Sequence, residues 1–378
     1  MATVVSFVLC VISFCASFKN PSSCNYYDQS KLEAANHKAL FVFGDSLFDP
    51  GNNQYLNGTT DEGTSATSWP YGQTFFNRPT GRLSDGRIVP DFIAQFAKLP
   101  ILPPYLESGD HRLTDGANFA SAGAGVLAGT HPGTIHIRMQ LEYFKNLKMS
   151  LRQQLGDAEA EKTLRRAVYL FSIGGNDYFS FYSSNPDANE SDQRAYVEMV
   201  TGNLTVVLKE VYNLGARKIA FQNAGPLGSV PVMKSMHPEV GSGCAEEPSA
   251  LARLHNDYLA ISLKNLESQL PGFKYAIFDY YNSLGDRVND PSKYGCLIYT
   301  GFKEGKVACC GSGTFRGTGC GRRDGNETYE LCSKPSEYVW FDGAHTTEMA
   351  NRQLAELLWS GAPSITGPYN MEQLFGLS

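Results

Sequence analysis

The chain has 378 residues, 42% of them hydrophobic and 19% charged, enough to bury one large core or two modest ones. A net charge of −6 and scattered Lys and Arg leave no basic stripe to hold a phosphate backbone, so nucleic acid is excluded as an expected partner.

The first segment, MATVVSFVLCVISFCASFKNPSSC, is apolar and uncharged from Val4 to Phe18, with the small residues Ala16 and Ser17 after its hydrophobic centre. It is shorter than the roughly 20 residues a spanning helix requires. We read it as a signal peptide over residues 1–23, followed by one mature domain, 24–378, without an integral membrane span. Because the segment lacks Lys and Arg at its start, an uncleaved anchor is the alternative.

The first predicted strand, LFVF at 40–43, runs straight into Gly44, Asp45 and Ser46 and then into the turn-formers DPGNN. Ser46 thus falls just past the carboxyl end of a strand, where open α/β sheets place their ligand crevice. On this triplet alone, a serine capping a helix is the commoner explanation. NFASA at 118–122 is the second predicted strand and leads to Gly123; AVYLFSI at 167–173 is the third and leads to Asn176 in IGGND. KIAFQ at 218–222 and YAIFDY at 275–280 complete the set.

Helical periods lie between these runs: Leu141, Phe144, Leu147, Leu151 and Leu155; then Val197, Val200, Leu204, Val207, Val211 and Leu214, ended by Gly215. A third begins with Leu251, Leu254, Tyr258 and Ile261 and stops at Pro271-Gly272. Strands alternating with helices predict a mainly parallel sheet covered on both faces. Segments 50–90, 224–248 and 282–335 read as long loops, the expected seat of selectivity.

Gly123 allows a backbone N–H to approach a ligand closely, and the Asn176 amide carries two donors. With the Ser46 N–H they can form an oxyanion hole. Singly, a turn glycine and an Asn176-Asp177 capping pair are the commoner readings; the shared strand-end placement favours function. WFDGAHTTEMANRQLAELL adds Asp342 and His345, three residues apart just before a helical pattern. Their side chains can meet, so His345 can take the Ser46 proton while Asp342 holds the imidazole tautomer.

Asn57, Asn189, Asn203 and Asn326 are N-glycosylation sequons. Without Cys10 and Cys15 the mature chain keeps seven cysteines: Cys24, Cys244, Cys296, Cys309, Cys310, Cys320 and Cys332. Four fall in YGCLIYTGFKEGKVACCGSGTFRGTGC, where the missing C-x-x-C spacing favours a disulfide-stapled loop over a zinc site. No G-x-S-x-G elbow, G-x-G-x-x-G or H-E-x-x-H is present, so we expect no cofactor and no metal.

FGDSLFDPGNN, GANFASAGAG, IGGND and DGAHTTE, in this order, resemble the plant GDSL esterase/lipase family of SGNH hydrolases across nearly the whole mature chain. YGCLIYTGFKEGKVACCGSG and WSGAPSITGPYNMEQLF are similar to its secreted members. The resemblance implies a three-layer α/β/α sandwich with a mainly parallel, flavodoxin-like five-stranded sheet. It implies Ser46 as nucleophile, Gly123 and Asn176 as oxyanion donors beside the Ser46 N–H, and Asp342 and His345 completing a triad. Where many members have His-Pro-Thr this chain has His345-Thr346-Thr347; Thr346 is expected to cap the next helix.

The expected function is a secreted serine esterase or lipase, extracellular or in the cell wall, with the vacuole as an alternative address. A small-molecule or lipid ester is the expected partner, and the loops rich in Phe and Tyr suit a lipid or phenolic acyl group. An acyltransferase passing the acyl group to a phenolic, quinate-like or terpenoid alcohol is the second reading. A non-catalytic secreted glycoprotein is the third.

Overall fold

The apolar runs become strands because both faces of each are buried. LFVFG, for example, forms β1 (Leu40–Gly44) with all five residues inside. The computed structural model describes residues 38–56, 66–109, 111–241, 243–294, 301–321 and 328–377. The signal segment, Cys24, Cys296, Asn57 and Asn326 lie outside these residues.

In chain order the elements are β1, α1 (Val89–Phe96), β2 (Gly116–Asn118), α2 (Ile137–Leu155), α3 (Asp157–Arg166), β3 (Val168–Ser172), α4 (Gly175–Ser184), α5 (Glu190–Asn213) and β4 (Lys218–Gln222). They continue with α6 (Pro231–Met236), α7 (Glu246–Gln269), β5 (Lys274–Phe278), α8 (Tyr280–Asn289), β6 (Cys310–Gly311), β7 (Glu330–Leu331), α9 (Glu348–Ser360), β8 (Thr366–Pro368) and α10 (Met371–Gly376).

The main sheet runs β2-β1-β3-β4-β5-β8. Its first five strands are parallel, in flavodoxin-like order, and the sixth joins β5 antiparallel. Successive side chains point to opposite faces. Phe41, Phe43, Tyr169, Phe171 and Phe221 therefore pack on one side with Phe144 of α2, Leu204 of α5 and Leu259 of α7. Leu40, Val42, Leu170 and Phe278 pack on the other with Phe92 of α1 and Leu354 of α9. These are the three expected layers.

Three boundaries differ from expectation. The second strand is Gly116–Asn118 rather than 118–122: the N–H groups of Phe119 and Ser121 still donate to the β1 carbonyls of Val42 and Gly44, but the Gly44 N–H goes to the Gln140 side chain rather than back to this segment, so the ladder stops. The sheet gains β8, a three-residue edge strand ending in Pro368, the kind of strand end proline tolerates. Part of the predicted loops is helical, with α6 inside 224–248 and α8 reaching into 282–335.

The strand order reverses at β1 and β3, so the crevice of such a sheet opens beyond the carboxyl ends of these two strands. Ser46 follows one and Asn176 the other.

Candidate active site

The end of β1 is held without tolerance for a side chain. Gln140, wholly buried on α2, accepts from the Gly44 N–H at 2.9 Å and donates to its carbonyl at 2.7 Å. A Cβ on Gly44 would meet the Ser172 carbonyl oxygen of β3 at 2.5 Å, so only glycine fits there. The Asp45 N–H donates to the same oxygen at 3.2 Å, and the chain then turns sharply, Phe48 N–H bonding back to the Asp45 carbonyl. Ser46 sits in this turn and is 8% exposed. Its N–H and hydroxyl bond to no group among the described residues.

The turn-formers after Ser46 are structural. Asp49, with no exposed surface, accepts from the N–H groups of Gly51 and Asn52 at 2.7 Å and of Ala122 at 2.8 Å. Asn52 donates to the carbonyls of Asn118 and Ala120. In return Asn118 donates to the Phe48 carbonyl at 2.8 Å. These bonds tie the loop after β1 to the loop after β2, which delivers Gly123. Burial pushes the Asp49 carboxyl up to about 6 despite the three backbone N–H groups that favour its charge.

Gly123 has φ +78°, a left-handed conformation natural to glycine. The Gly123 carbonyl lies 2.8 Å from His131 Nδ1, which must carry the proton because a carbonyl only accepts. The Gly123 N–H donates to no described group.

Asn176 lies in the first turn of α4, where its Nδ2 donates to the Ala124 carbonyl at 2.9 Å. One amide N–H is used and the second donates to no described group. Neither Asn176 nor Asp177 caps α4, whose N-cap is Gly174 at φ +117°. Asp177 instead accepts from the N–H groups of Val126 and Leu127 at 2.8 and 3.0 Å and from the Thr130 hydroxyl at 2.5 Å. The pair read as a possible cap thereby welds the Gly123 loop to the Asn176 helix. Burial raises the Asp177 carboxyl above its ordinary range.

Asp342 and His345 meet as their spacing predicts. His345 Nδ1 is 2.8 Å from Asp342 Oδ1 and 3.0 Å from Oδ2. The N–H groups of Ala344 and His345 also donate to Oδ1, at 2.9 and 2.8 Å, and the Tyr71 hydroxyl donates to Oδ2 at 2.8 Å. Burial alone would raise this carboxyl, but the His345 charge and these hydrogen bonds outweigh it and hold it below the usual range. With Nδ1–H given to a carboxylate, Nε2 is the basic nitrogen of the ring. His345 also acts electrostatically on Asp45, the neighbour of Ser46.

The helix cap is Thr347, whose hydroxyl accepts from the Ala350 N–H, and not Thr346, whose hydroxyl donates to Asn351 Oδ1 at 2.6 Å. Tyr71, Gln140 and His131 escape a sequence reading. Tyr71 and Gln140 act across long separations, His131 across eight residues, and none stands in a pattern.

Among the described residues Cys309 pairs with Cys332 and Cys310 with Cys320, while Cys244 is exposed and in no disulfide. Asn189 is exposed and caps α5 through its Oδ1, and Asn203 lies within that helix, half-buried. No described helix is long and apolar enough to cross a membrane, and no described cluster of three or more His, Cys, Asp or Glu can hold a metal ion.

A family model described as GDSL-like lipase/acylhydrolase matches residues 40–358. The chain is 49% identical to GDSL esterase/lipase 1 of Arabidopsis thaliana, over 94% of each chain. It is 48% identical to GDSL esterase/lipase 2 of the same plant, over 91% of each. It is 47% identical to the GDSL lipase of Tanacetum cinerariifolium, over 91% of this chain and 89% of that one.

Proposed function

Because the chain belongs to the GDSL-like lipase/acylhydrolase family and is a carboxylic ester hydrolase, we propose that it is a secreted serine esterase working through a Ser46 acyl-enzyme. His345 Nε2 takes the Ser46 proton as Oγ attacks the ester carbonyl, and Asp342 stabilises the imidazolium that forms. The N–H groups of Ser46 and Gly123 and the remaining Asn176 N–H receive the oxyanion. The leaving alcohol takes the proton from His345. Water then attacks the acyl carbonyl as it gives a proton to the same nitrogen, and Ser46 Oγ leaves with that proton as the acid is released.

The observation that carries this reading is the buried Asp342–His345 pair, 2.8 Å apart, whose imidazole acts electrostatically on Asp45, the residue before Ser46. The short apolar leader, the sequons and two disulfides, which persist in oxidising compartments, support secretion. A panel of p-nitrophenyl esters tests the activity. Ser46→Ala should abolish turnover while the protein stays folded, and turnover at the wild-type rate would remove Ser46 from the mechanism.

A further inference from the structure

An oxyanion hole works only if its donors are aimed before substrate arrives, and a backbone N–H cannot be aimed by a rotamer. It turns only with its peptide plane. The plane that carries the Gly123 N–H also carries the Ala122 carbonyl, and in a trans peptide the two point in opposite directions. Whatever holds that carbonyl therefore aims that N–H.

The holder is Asn53. Its Nδ2 donates to the Ala122 carbonyl at 2.9 Å, and the Ser121 hydroxyl lies 2.5 Å from its Oδ1. The directions of these bonds are set by chemistry. Ile135 N–H donates to Ser121 Oγ at 3.1 Å, so the Ser121 proton is free to go to Asn53 Oδ1, and the Asn53 NH₂ must face the carbonyl. Asn53 is 2% exposed and Ser121 and Ala122 no more than 1%, so water does not compete. The Ala122 N–H is bound to Asp49, which fixes the preceding plane, and His131 binds the Gly123 carbonyl, which fixes the following one. Between these anchors one N–H donates to no described group: that of Gly123.

We propose that Asn53 is a positioning residue for ester hydrolysis, aiming the Gly123 N–H at the oxyanion through the Ala122 carbonyl. The proposal rests on the reading of Gly123 as an oxyanion donor. Asn53 touches no substrate atom. Its loss should weaken the transition state and leave ground-state binding nearly intact.

The test uses the purified full-length chain with p-nitrophenyl butyrate and with its thiono analogue, in which sulfur replaces the carbonyl oxygen and fits an oxyanion hole poorly. In Asn53→Ala, kcat for the oxygen ester should fall about 10- to 100-fold, with KM within about threefold of wild type. The rate penalty for sulfur should shrink, because the hole no longer discriminates. Ser121→Ala, which lets the Asn53 amide rotate, should show the same pattern more weakly. An unchanged kcat in both variants, a fall in kcat with the wild-type sulfur penalty, or loss of folding in both overturns the proposal. Ser46→Ala separates the two levels. If it still turns over ester, the parent reading fails; if it is inactive while both other variants keep wild-type kcat, only the role of Asn53 fails.

Discussion

The Tyr71 hydroxyl donates to Oδ2 of Asp342 at 2.8 Å, joining residues 271 positions apart. The ring packs edge-on against Phe341, with centroids 5.2 Å apart, and is 3% exposed. Tyr71 thus supplies one of the donors that keep a buried carboxylate charged beside His345. Tyr71→Phe keeps the packing and removes the donor. We expect kcat to fall several-fold with KM unchanged, and stability to fall by about 1–3 kcal/mol, the cost of leaving a buried acceptor short of a partner. Steady-state kinetics and urea melts of the variant check both; an unaltered kcat would show that the remaining donors suffice.

The same contact shows what the sequence could and could not reveal. Asp342 and His345 are legible because three residues separate them and a helical pattern follows. Ser46, Gly123 and Asn176 are legible because each closes an apolar run. Tyr71 is not, since its role exists only after the loop before α1 folds over the turn before α9. Strand β8 is short and carries Pro368, so it has no alternation to read. NFASA looks like a strand by composition, and Phe119 and Ser121 do donate to β1. The return bond from the Gly44 N–H goes to the Gln140 side chain of α2 instead, and no propensity reports that.

The disulfides stand behind this wall of the site. Cys309 and Cys310 donate their N–H groups to the carbonyls of Trp340 and Phe341, at 3.0 and 2.7 Å, and the cystines share a core with Tyr71 and Phe341. Each closes a loop, which constrains the unfolded chain by about 2–4 kcal/mol. None of these four cysteines lies on a strand of the main sheet. Dithiothreitol should therefore abolish esterase activity at a lower temperature than it melts the far-UV circular dichroism of the sheet and helices. Coincident loss of both signals would mean that the knot and the sheet unfold as one unit.

Burial raises Asp49 and Asp85 from 3.8 to about 6 and Asp45 to about 7. A carboxyl whose folded pKa is raised contributes stability that is complete below its unfolded pKa and lost as pH rises through the folded one. His255 works the other way. Its burial lowers it from 6.5 to about 4, so its contribution is present above 6.5 and lost as pH falls towards 4. These three carboxyls and the likewise raised Asp177, against one imidazole, should make the melting temperature fall as pH rises from about 4 to about 7. Asp85→Asn, read by calorimetry at both ends, should reduce that slope. A melting temperature that rises across the window would contradict the assignment.

Asp45 gives the last expectation. It is buried beside Ser46, accepts from the Leu47 N–H at 3.1 Å and donates its own N–H to the Ser172 carbonyl. Burial raises its carboxyl to about 7, partly opposed by the Leu47 N–H and by the His345 charge. Attraction between charges is mutual, so an ionised Asp45 also favours the His345 imidazolium. Two consequences follow with opposite signs for catalysis. The free enzyme holds the unwanted proton on His345 to a higher pH, and the transition state gains stabilisation of the imidazolium that forms there. Asp45→Asn removes both. The acid limb of kcat/KM should move to lower pH by about half a unit to one unit, while the plateau kcat falls. Profiles of kcat/KM against pH for both proteins decide the matter. An acid limb that stays in place or moves upward would separate Asp45 from the reaction and leave it only a structural role in the turn that presents Ser46.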